Sequence, residues 1–441
     1  MSEYPVVVVG AGPVGLAAAA QLVERGVEPL VVERTDRAGA AVAEWHHVRL
    51  FSPWSELVAP AAGRLLEPTG WQRPDGETYP TGAEWADRYL HPLADVLGER
   101  VRVGVEVVGV ARRGRDRVVD AGRDTEPLTV HVRHRDGREE RITAQAVVDA
   151  SGTWGGPNPL GGDGLPALGE WAAADRITYR VPNLADPQVR ARYAGRHVAV
   201  VGSGHSALTA LVALADLAEQ GTRISWVLRR GVVGAVFGGG EADQLPARGA
   251  LGQRAKAAAA AGHVTTVTGF RTEAVDRRMD GRLTLVSGAD RVSGVDEVVV
   301  LTGFRPDLSW LSELRLDLDP TLEAPVTLAP LIDPNVHSCG TVYPHGVKEL
   351  AHPEPGVYLA GMKSYGRAPT FLAMTGYEQV RSIAAALAGD RESAERVELV
   401  LPETGVCGGS GVFDQPADTV GGCCGPTGGV ETLTLAAPPT R

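Results

Sequence analysis

Cysteine is scarce in this 441-residue chain: there are four, and no two have the C-x-x-C spacing of a redox dithiol. Lysine is scarcer still, with only Lys256, Lys348 and Lys363 among 43 basic residues. That bias runs the whole length, so it reflects a GC-rich genome and carries no mechanism. Positive charge is short overall. A formal net charge of −11 excludes a general nucleic-acid binder, which shows a basic surplus. No apolar run approaches the roughly 18 residues of a membrane helix, so no membrane span is expected. "MSEYPVVVVGAG" has no basic segment before its apolar run and does not read as a secretory signal. "LPETG" at Leu401 to Gly405 spells a cell-wall sorting signal, but the hydrophobic span and basic tail of one do not follow. The expected location is the cytosol, where thiols stay reduced.

Apolar content of 44% and charged content of 22% fit a globular protein, and the length suits two domains. The first motif is "YPVVVVGAGPVGLAAAAQLVERGVEPLVVERTD". Val6 to Val9 read as a strand buried on both faces. Gly10, Gly12 and Gly15 follow with G-x-G-x-x-G spacing: a tight turn, a close approach for a pyrophosphate, and room for helix on strand. The following helix, Leu16 to Arg25, stops at Gly26 and points its positive N-terminal end at the phosphates, with Pro13 among the turn residues expected at the cofactor. A second strand ends in Glu33, 18 residues after Gly15, where a carboxylate accepts from ribose hydroxyls; Arg34 follows it. The register of strand, glycines, helix, strand and acid specifies a dinucleotide fold for FAD.

The pattern recurs from Val198 to Leu217, "VAVVGSGHSALTALVALADL". Gly202, Ser203, Gly204, His205 and Ser206 form the second turn, with Ala207 in the third glycine position. Its second strand ends in Arg229 and Arg230 where the first repeat has an acid, which suits the 2′-phosphate of NADPH. A solvated basic turn is the alternative. Between the repeats, "VRVGVEVVGVARRG" and "LTVHVRHRDGREERITA" read as an antiparallel meander with Asp136–Gly137 as hairpin turn, followed by the return strand of "AVVDASGTW".

With these motifs in this order, the chain resembles the two-dinucleotide-binding-domain flavoproteins, the superfamily of glutathione-reductase-like enzymes and class B flavin monooxygenases. The likeness implies that "DASGTW", with Ser151 and Gly152, passes the flavin and crosses to the NADPH domain. It also implies that "DEVVVLTGFRPD" lies near the return crossing. "GVYLAGMKSYGRAPTFLAMTGYEQVRSIAAALAG", with Gly361 and Met362, resembles the last FAD strand and helix. The implied fold class is α/β, with two Rossmann-like domains, a small antiparallel meander and a Gly/Cys-rich tail. The expected division is 1–158 and 325–398 for FAD, 159–324 for NADPH and 399–441 for the tail. Two features depart from the superfamily: Met362 stands where an aspartate is usual, and the F-x-G-x-x-x-H fingerprint is missing before the second fold.

The implied chemistry is hydride transfer from NADPH to FAD. The loop "EWHHVRLFSPWSE" offers Trp45, His46, Arg49 and Trp54 as walls of a substrate cavity, or an amphipathic loop packed on its domain. His205 reads as touching phosphate or solvent and not as a catalyst. His337, Cys339 and His345 gather in one loop, where a packed thiol is favoured over a metal site. Cys407, Cys423 and the adjacent Cys424 stand in a glycine-rich tail. Three soft thiolates suit a trivalent metalloid better than zinc, which prefers four ligands; incidental cysteines are the alternative. The tail and "GMKSYGRAPTF" also resemble flavin monooxygenase-like proteins of bacterial arsenic-resistance operons. The leading expectation is oxidation of a trivalent arsenical by dioxygen, a reading compatible with a homodimer. Its rivals are a monooxygenase for a small nitrogen- or sulfur-containing molecule with a regulatory tail, and a non-catalytic metalloid-binding or redox-sensing flavoprotein.

Overall fold

Val6–Val9 form β1, and its side chains divide between two cores. Val6 and Val8 pack with α1 (Pro13–Glu24), while Val7 and Val9 face the opposite side. Successive strand residues point to opposite faces, so a strand covered on both sides must be apolar at every step. The computed structural model describes residues 3–397 and 399, apart from 232, 238–239, 241–242, 244, 337–344 and 370. After β1, β2 (Pro29–Glu33) and β3 (Val101–Val103) extend a parallel sheet. Then β4 (Val105–Arg112), β5 (Leu128–His134) and β6 (Glu139–Ala144) make an antiparallel meander that covers the Val7 and Val9 face. Its second hairpin closes through His134 N–H donating to Arg138 O at 2.8 Å, with Gly137 at φ +84°. The strand β7 (Ala146–Asp149) returns to pair with β1.

One expectation changes here. The sequence pattern places "VRV" at the start of the meander, yet β3 pairs in parallel with β2 and belongs to the large sheet. Gly104, at φ +71°, breaks the run and sends β4 into the meander.

The second lobe repeats the plan. It comprises β8 (Ile177–Thr178), β9 (His197–Val201), α2 (His205–Ala215), β10 (Arg223–Val227), α3 (Pro246–Ala260) and β11 (Val264–Val267). An antiparallel trio follows, β12 (Ala274–Arg277), β13 (Leu283–Ser287) and β14 (Asp290–Val295), then β15 (Glu297–Val300). Val198 and Val200 of β9 face the α2 core, while Ala199 and Val201 face the trio through Leu283 and Leu285. The chain then returns to the first lobe as β16 (Val357–Leu359) and α4 (Ala373–Leu387). The strand orders are β16-β7-β1-β2-β3 and β11-β10-β9-β15-β8, all pairs parallel. Among the described residues, no helix is long and apolar enough to cross a membrane.

A buried ionic knot ties the meander to the returning chain. Glu354, 1% exposed, accepts from Arg112 Nη2 at 2.7 Å, Arg123 Nη2 at 2.6 Å and Arg315 N at 3.1 Å. Burial alone would raise its pKa, but the bonds from Arg123 and Arg112 override that and hold it below the usual carboxylate range. Its contribution is therefore present above the unfolded-state pKa near 4.3 and lost as pH falls through the lower native value. Glu354→Ala leaves two buried guanidinium groups unpaired and is expected to cost about 3–5 kcal/mol at pH 7. Urea denaturation at a series of pH values should show the deficit shrinking below about pH 4. A deficit that does not change between pH 7 and pH 3 would contradict this account.

Candidate functional site

At the end of β1 three glycines do three different things. Gly10 adopts φ +96°, and a Cβ there would lie 2.8 Å from Ser151 Cα. A Cβ on Gly15 would meet Gly10 O at 1.9 Å, so α1 seats on the turn only because none is present. A Cβ on Gly12 would meet nothing within 4 Å. That open space lies at the cap of α1, which has no side-chain cap and carries Pro13 in its first turn. Uncapped amides beside this open cradle fit a dinucleotide pyrophosphate.

Glu33 holds the turn as well as facing it. Its Oε2 accepts from Ala11 N at 2.9 Å, and its Oε1 accepts from Thr35 N at 2.9 Å and Thr35 Oγ1 at 2.7 Å. A carboxylate has about four acceptor positions, so one is left for a ribose hydroxyl. Arg34 is exposed and reaches the crossover: a Cβ on Gly155 would lie 3.1 Å from its Nη2. Ser151 donates from N and Oγ to Asp149 Oδ1 at 3.0 and 2.6 Å, and Gly152 follows at φ +68°. Gly361, at φ +67°, donates its N–H to buried Gln379 Oε1 at 2.7 Å; Met362 beside it is half-buried. Gln379 Nε2 also contacts His345 Nε2 at 2.8 Å, which places His345 in this buried network. His337 and Cys339 lie outside the described residues.

The second turn is built alike. Gly202 sits at φ +131° with a hypothetical Cβ 2.3 Å from Leu301 O; Gly204 caps α2 with open space where its Cβ would be. Ala207 fills the third position, fully buried. Buried Trp226 donates Nε1–H to Gly202 O at 2.8 Å and fixes the turn from below. Ser203 is half-buried and Ser206 exposed beside it. His205 begins α2 with its ring 5.2 Å from that of Phe51, a first-lobe residue. Burial, aided by the nearby Arg248 charge, pushes His205 down to about 4, so it is neutral at physiological pH. Arg229 is exposed and donates Nη1–H to Gly162 O at 3.3 Å; Arg230 is half-buried and its carbonyl accepts from Gly269 N at 2.8 Å. Arg271 joins this corner, its Cα 2.8 Å from where a Gly162 Cβ would stand.

Between the lobes lies a cleft of about 410 Å³ lined by Glu44, His46 and His47 on one side and by Arg180, Asn183 and Arg192 on the other. Of the four proposed cavity walls, His46 faces it, with Nε2 3.3 Å from Asn183 Nδ2. The other three face their own lobe. Trp45 packs near Trp85 at 6.3 Å between ring centroids, and Arg49 donates to the Tyr79 carbonyl. Trp54 is 3% exposed in the core beneath Arg88. No local motif announces the clamp beside the cleft. There Arg180 lies 3.9 Å from the Trp154 ring and 5.3 Å from that of Phe304, and it donates to Trp154 O at 2.9 Å. Glu44 Oε2 accepts from Trp154 Nε1 at 2.7 Å and stands 3.5 Å from Arg180 Nε. Cation–π attraction and an ion pair thus join both crossovers to both lobes. Among the described residues no three His, Cys, Asp or Glu could hold a metal ion. Cys407, Cys423 and Cys424 lie outside the described residues.

The two glycines of the first turn predict opposite behaviour. Gly12→Ala enters open space, so the flavin-free protein should melt as the parent does, while FAD affinity falls tenfold or more because the methyl occupies the cradle. Gly15→Ala drives into Gly10 O and should lower the melting temperature of the flavin-free protein too. Equal melting losses in both variants, by calorimetry, would remove Gly12 from the cofactor cradle.

Comparison with known proteins agrees with this geometry. The chain is 28% identical over 319 residues to the ferredoxin–NADP reductase of Ignicoccus hospitalis, covering 70% of this chain and 81% of that protein. It is 30% identical over 226 residues to the indole-3-pyruvate monooxygenase YUCCA1 of Oryza sativa subsp. japonica, covering 51% of this chain and 48% of the other. The fold superposes on the bacillithiol disulfide reductase of Bacillus cereus with a TM-score of 0.64 at 20% identity, over 88% of this chain and 99% of that one. The family model of the pyridine nucleotide-disulphide oxidoreductases matches residues 7–329. The chain belongs to the pyridine nucleotide-disulphide oxidoreductase family and is an FAD- and NAD(P)H-dependent oxidoreductase.

Proposed function

We propose that the protein draws electrons from NADPH and uses dioxygen to oxidise a trivalent arsenical captured by the tail thiols. The observation that carries this reading is compositional. Three of four cysteines fall between Glu403 and Gly429, two of them adjacent, in a chain with no C-x-x-C dithiol to reduce a disulfide. Bound FAD supplies two-electron storage between NADPH and dioxygen. The balance closes: NADPH, a proton, dioxygen and the trivalent arsenical give NADP⁺, water and a pentavalent product carrying one added oxygen. The protein's share is to hold, orient and select. The two glycine turns seat the pyrophosphates. Glu33 takes the ribose of FAD, and Arg229 and Arg230, with Arg271 beside them, receive the 2′-phosphate. The cleft at His46, between the lobes, admits the substrate. The proposed division into FAD, NADPH and tail segments follows the same assignment. A monooxygenase acting on a small nitrogen- or sulfur-containing molecule is the second reading, favoured by the likeness to an indole-3-pyruvate monooxygenase over 226 residues.

Two measurements test this reading. Replacing Arg229 and Arg230 with alanine should raise the KM for NADPH about tenfold or more with little change for NADH, since a charge-assisted phosphate contact is worth about 1.5–3 kcal/mol. Equal use of both nucleotides by the parent protein would refute the NADPH assignment.

Truncation after Leu401, or any single Cys→Ser change at 407, 423 or 424, should weaken methylarsenite binding sharply and leave NADPH-to-flavin electron transfer near the parent rate. Parent binding should strengthen from pH 6 to 8, because free thiols near pKa 8.5 release protons on binding. Unchanged arsenical-dependent NADPH oxidation after truncation would end the arsenical reading. A panel of amines and sulfides would then test the second.

A further inference from the structure

Of the three lysines in the chain, one is sealed inside the flavin lobe. Lys363 is 1% exposed, in the turn that follows β16. Its Nζ lies 3.1 Å from Asp149 Oδ2 and donates to Ser151 Oγ at 3.0 Å. The Trp310 ring stands 5.3 Å away. An ammonium has three donors; the Ser151 hydroxyl accepts one, while the Asp149 carboxylate and the ring face attract its charge, Asp149 Oδ2 accepting no hydrogen bond among the described residues. A guanidinium brings five donors in a rigid fork, which explains a lysine in a chain that otherwise uses arginine.

The position of the group points to the cofactor. Asp149 ends β7, the neighbour of both β1 and β16. Ser151 hangs from Asp149 by two bonds, and its Cα presses on the bare face of Gly10. Lys363 therefore joins the turn after β16 to the crossover and, through it, to the first glycine turn. Gly10, Gly152 and Gly361, one from each of the three strand ends, all adopt positive φ. The turn itself presents Met362, which has no charge to offer. Asp149 by itself would set a buried negative charge beneath the place of two phosphates.

We propose that Lys363 is a positioning residue for FAD: it neutralises Asp149 and fixes Ser151, so that the crossover and glycine turn accept an anionic dinucleotide. This rests on FAD occupying the first lobe and is independent of the oxidised substrate. The charges make the prediction asymmetric. Lys363→Met leaves the Asp149 carboxylate without its cation beside the phosphates, whereas Asp149→Asn leaves a cation there that still interacts with Asp307.

The test is FAD titration of deflavinated full-length protein by fluorescence quenching, alongside melting of the same flavin-free samples. Lys363→Met should weaken FAD about tenfold or more and Asp149→Asn no more than about threefold, the difference persisting in high salt because the pair is buried. Lys363→Arg should not rescue. A pair that serves only the fold predicts equal losses in both variants, and that result, or parent-like affinity in Lys363→Met, overturns the proposal. If Lys363→Met does not fold, Lys363→Gln removes the charge while keeping a donor for Ser151 Oγ. It should weaken FAD about tenfold relative to Asp149→Asn, and parent-like affinity would overturn the proposal just as firmly.

Discussion

The molecule depends on one steric constraint, met twice: the turn that leaves a buried strand must press on a neighbouring backbone with no side chain between them. Gly10 against Ser151 Cα, and Gly202 against Leu301 O, are contacts that any Cβ would forbid, and in the first lobe Gly15 against Gly10 O seats the helix in the same way. The same economy recurs where α4 crosses α1. A Cβ on Gly376 would lie 2.6 Å from Val14 Cγ2, so α4 reaches the glycine turn because Gly376 is bare. Once the helices seat this closely, their free N-terminal amides and the open faces of Gly12 and Gly204 form the two dinucleotide cradles without further design.

Around these cradles the polar side chains mostly act on the backbone. Glu33 grips Ala11, Trp226 grips Gly202 and Gln379 grips Gly361. Each removes freedom from a turn that has a glycine's flexibility, so the turn is held ready before a ligand arrives. Buried charge follows the same logic on a larger scale. Glu354 with two arginines, and Lys363 with Asp149, each join segments more than 200 positions apart. Such pairs add little net stability over apolar packing, but they specify which segments meet.

The two lobes connect through few side chains. Arg180 lies across the Trp154 and Phe304 rings, one from each crossover, while Glu44 reaches over from the first lobe. Phe51 crosses the other way to cover His205 at the start of α2. Of these residues Glu44 and Arg180 line the cleft, so the clamp shapes its wall.

The sequence by itself determined both glycine turns, the buried valine strands, Glu33 and the hairpin at Asp136–Gly137, because each is a local pattern over a few residues. The α/β class followed from their order. The tertiary structure alone decided the rest. The three residues of β3 read locally as meander, since so short a strand is defined by its partner β2, some 70 residues earlier. The loop from Glu44 to Glu56 mixes aromatic, basic and apolar residues with no period that would assign them to faces. Only packing sends Trp54 to the core and His46 to the cleft. Lys363 and Asp149 look ordinary in the chain, and their meaning arises when β16 is laid beside β7. Local spacing encodes backbone conformation; charge neutralisation and cavity walls are sums over distant segments, so only the folded chain assigns them.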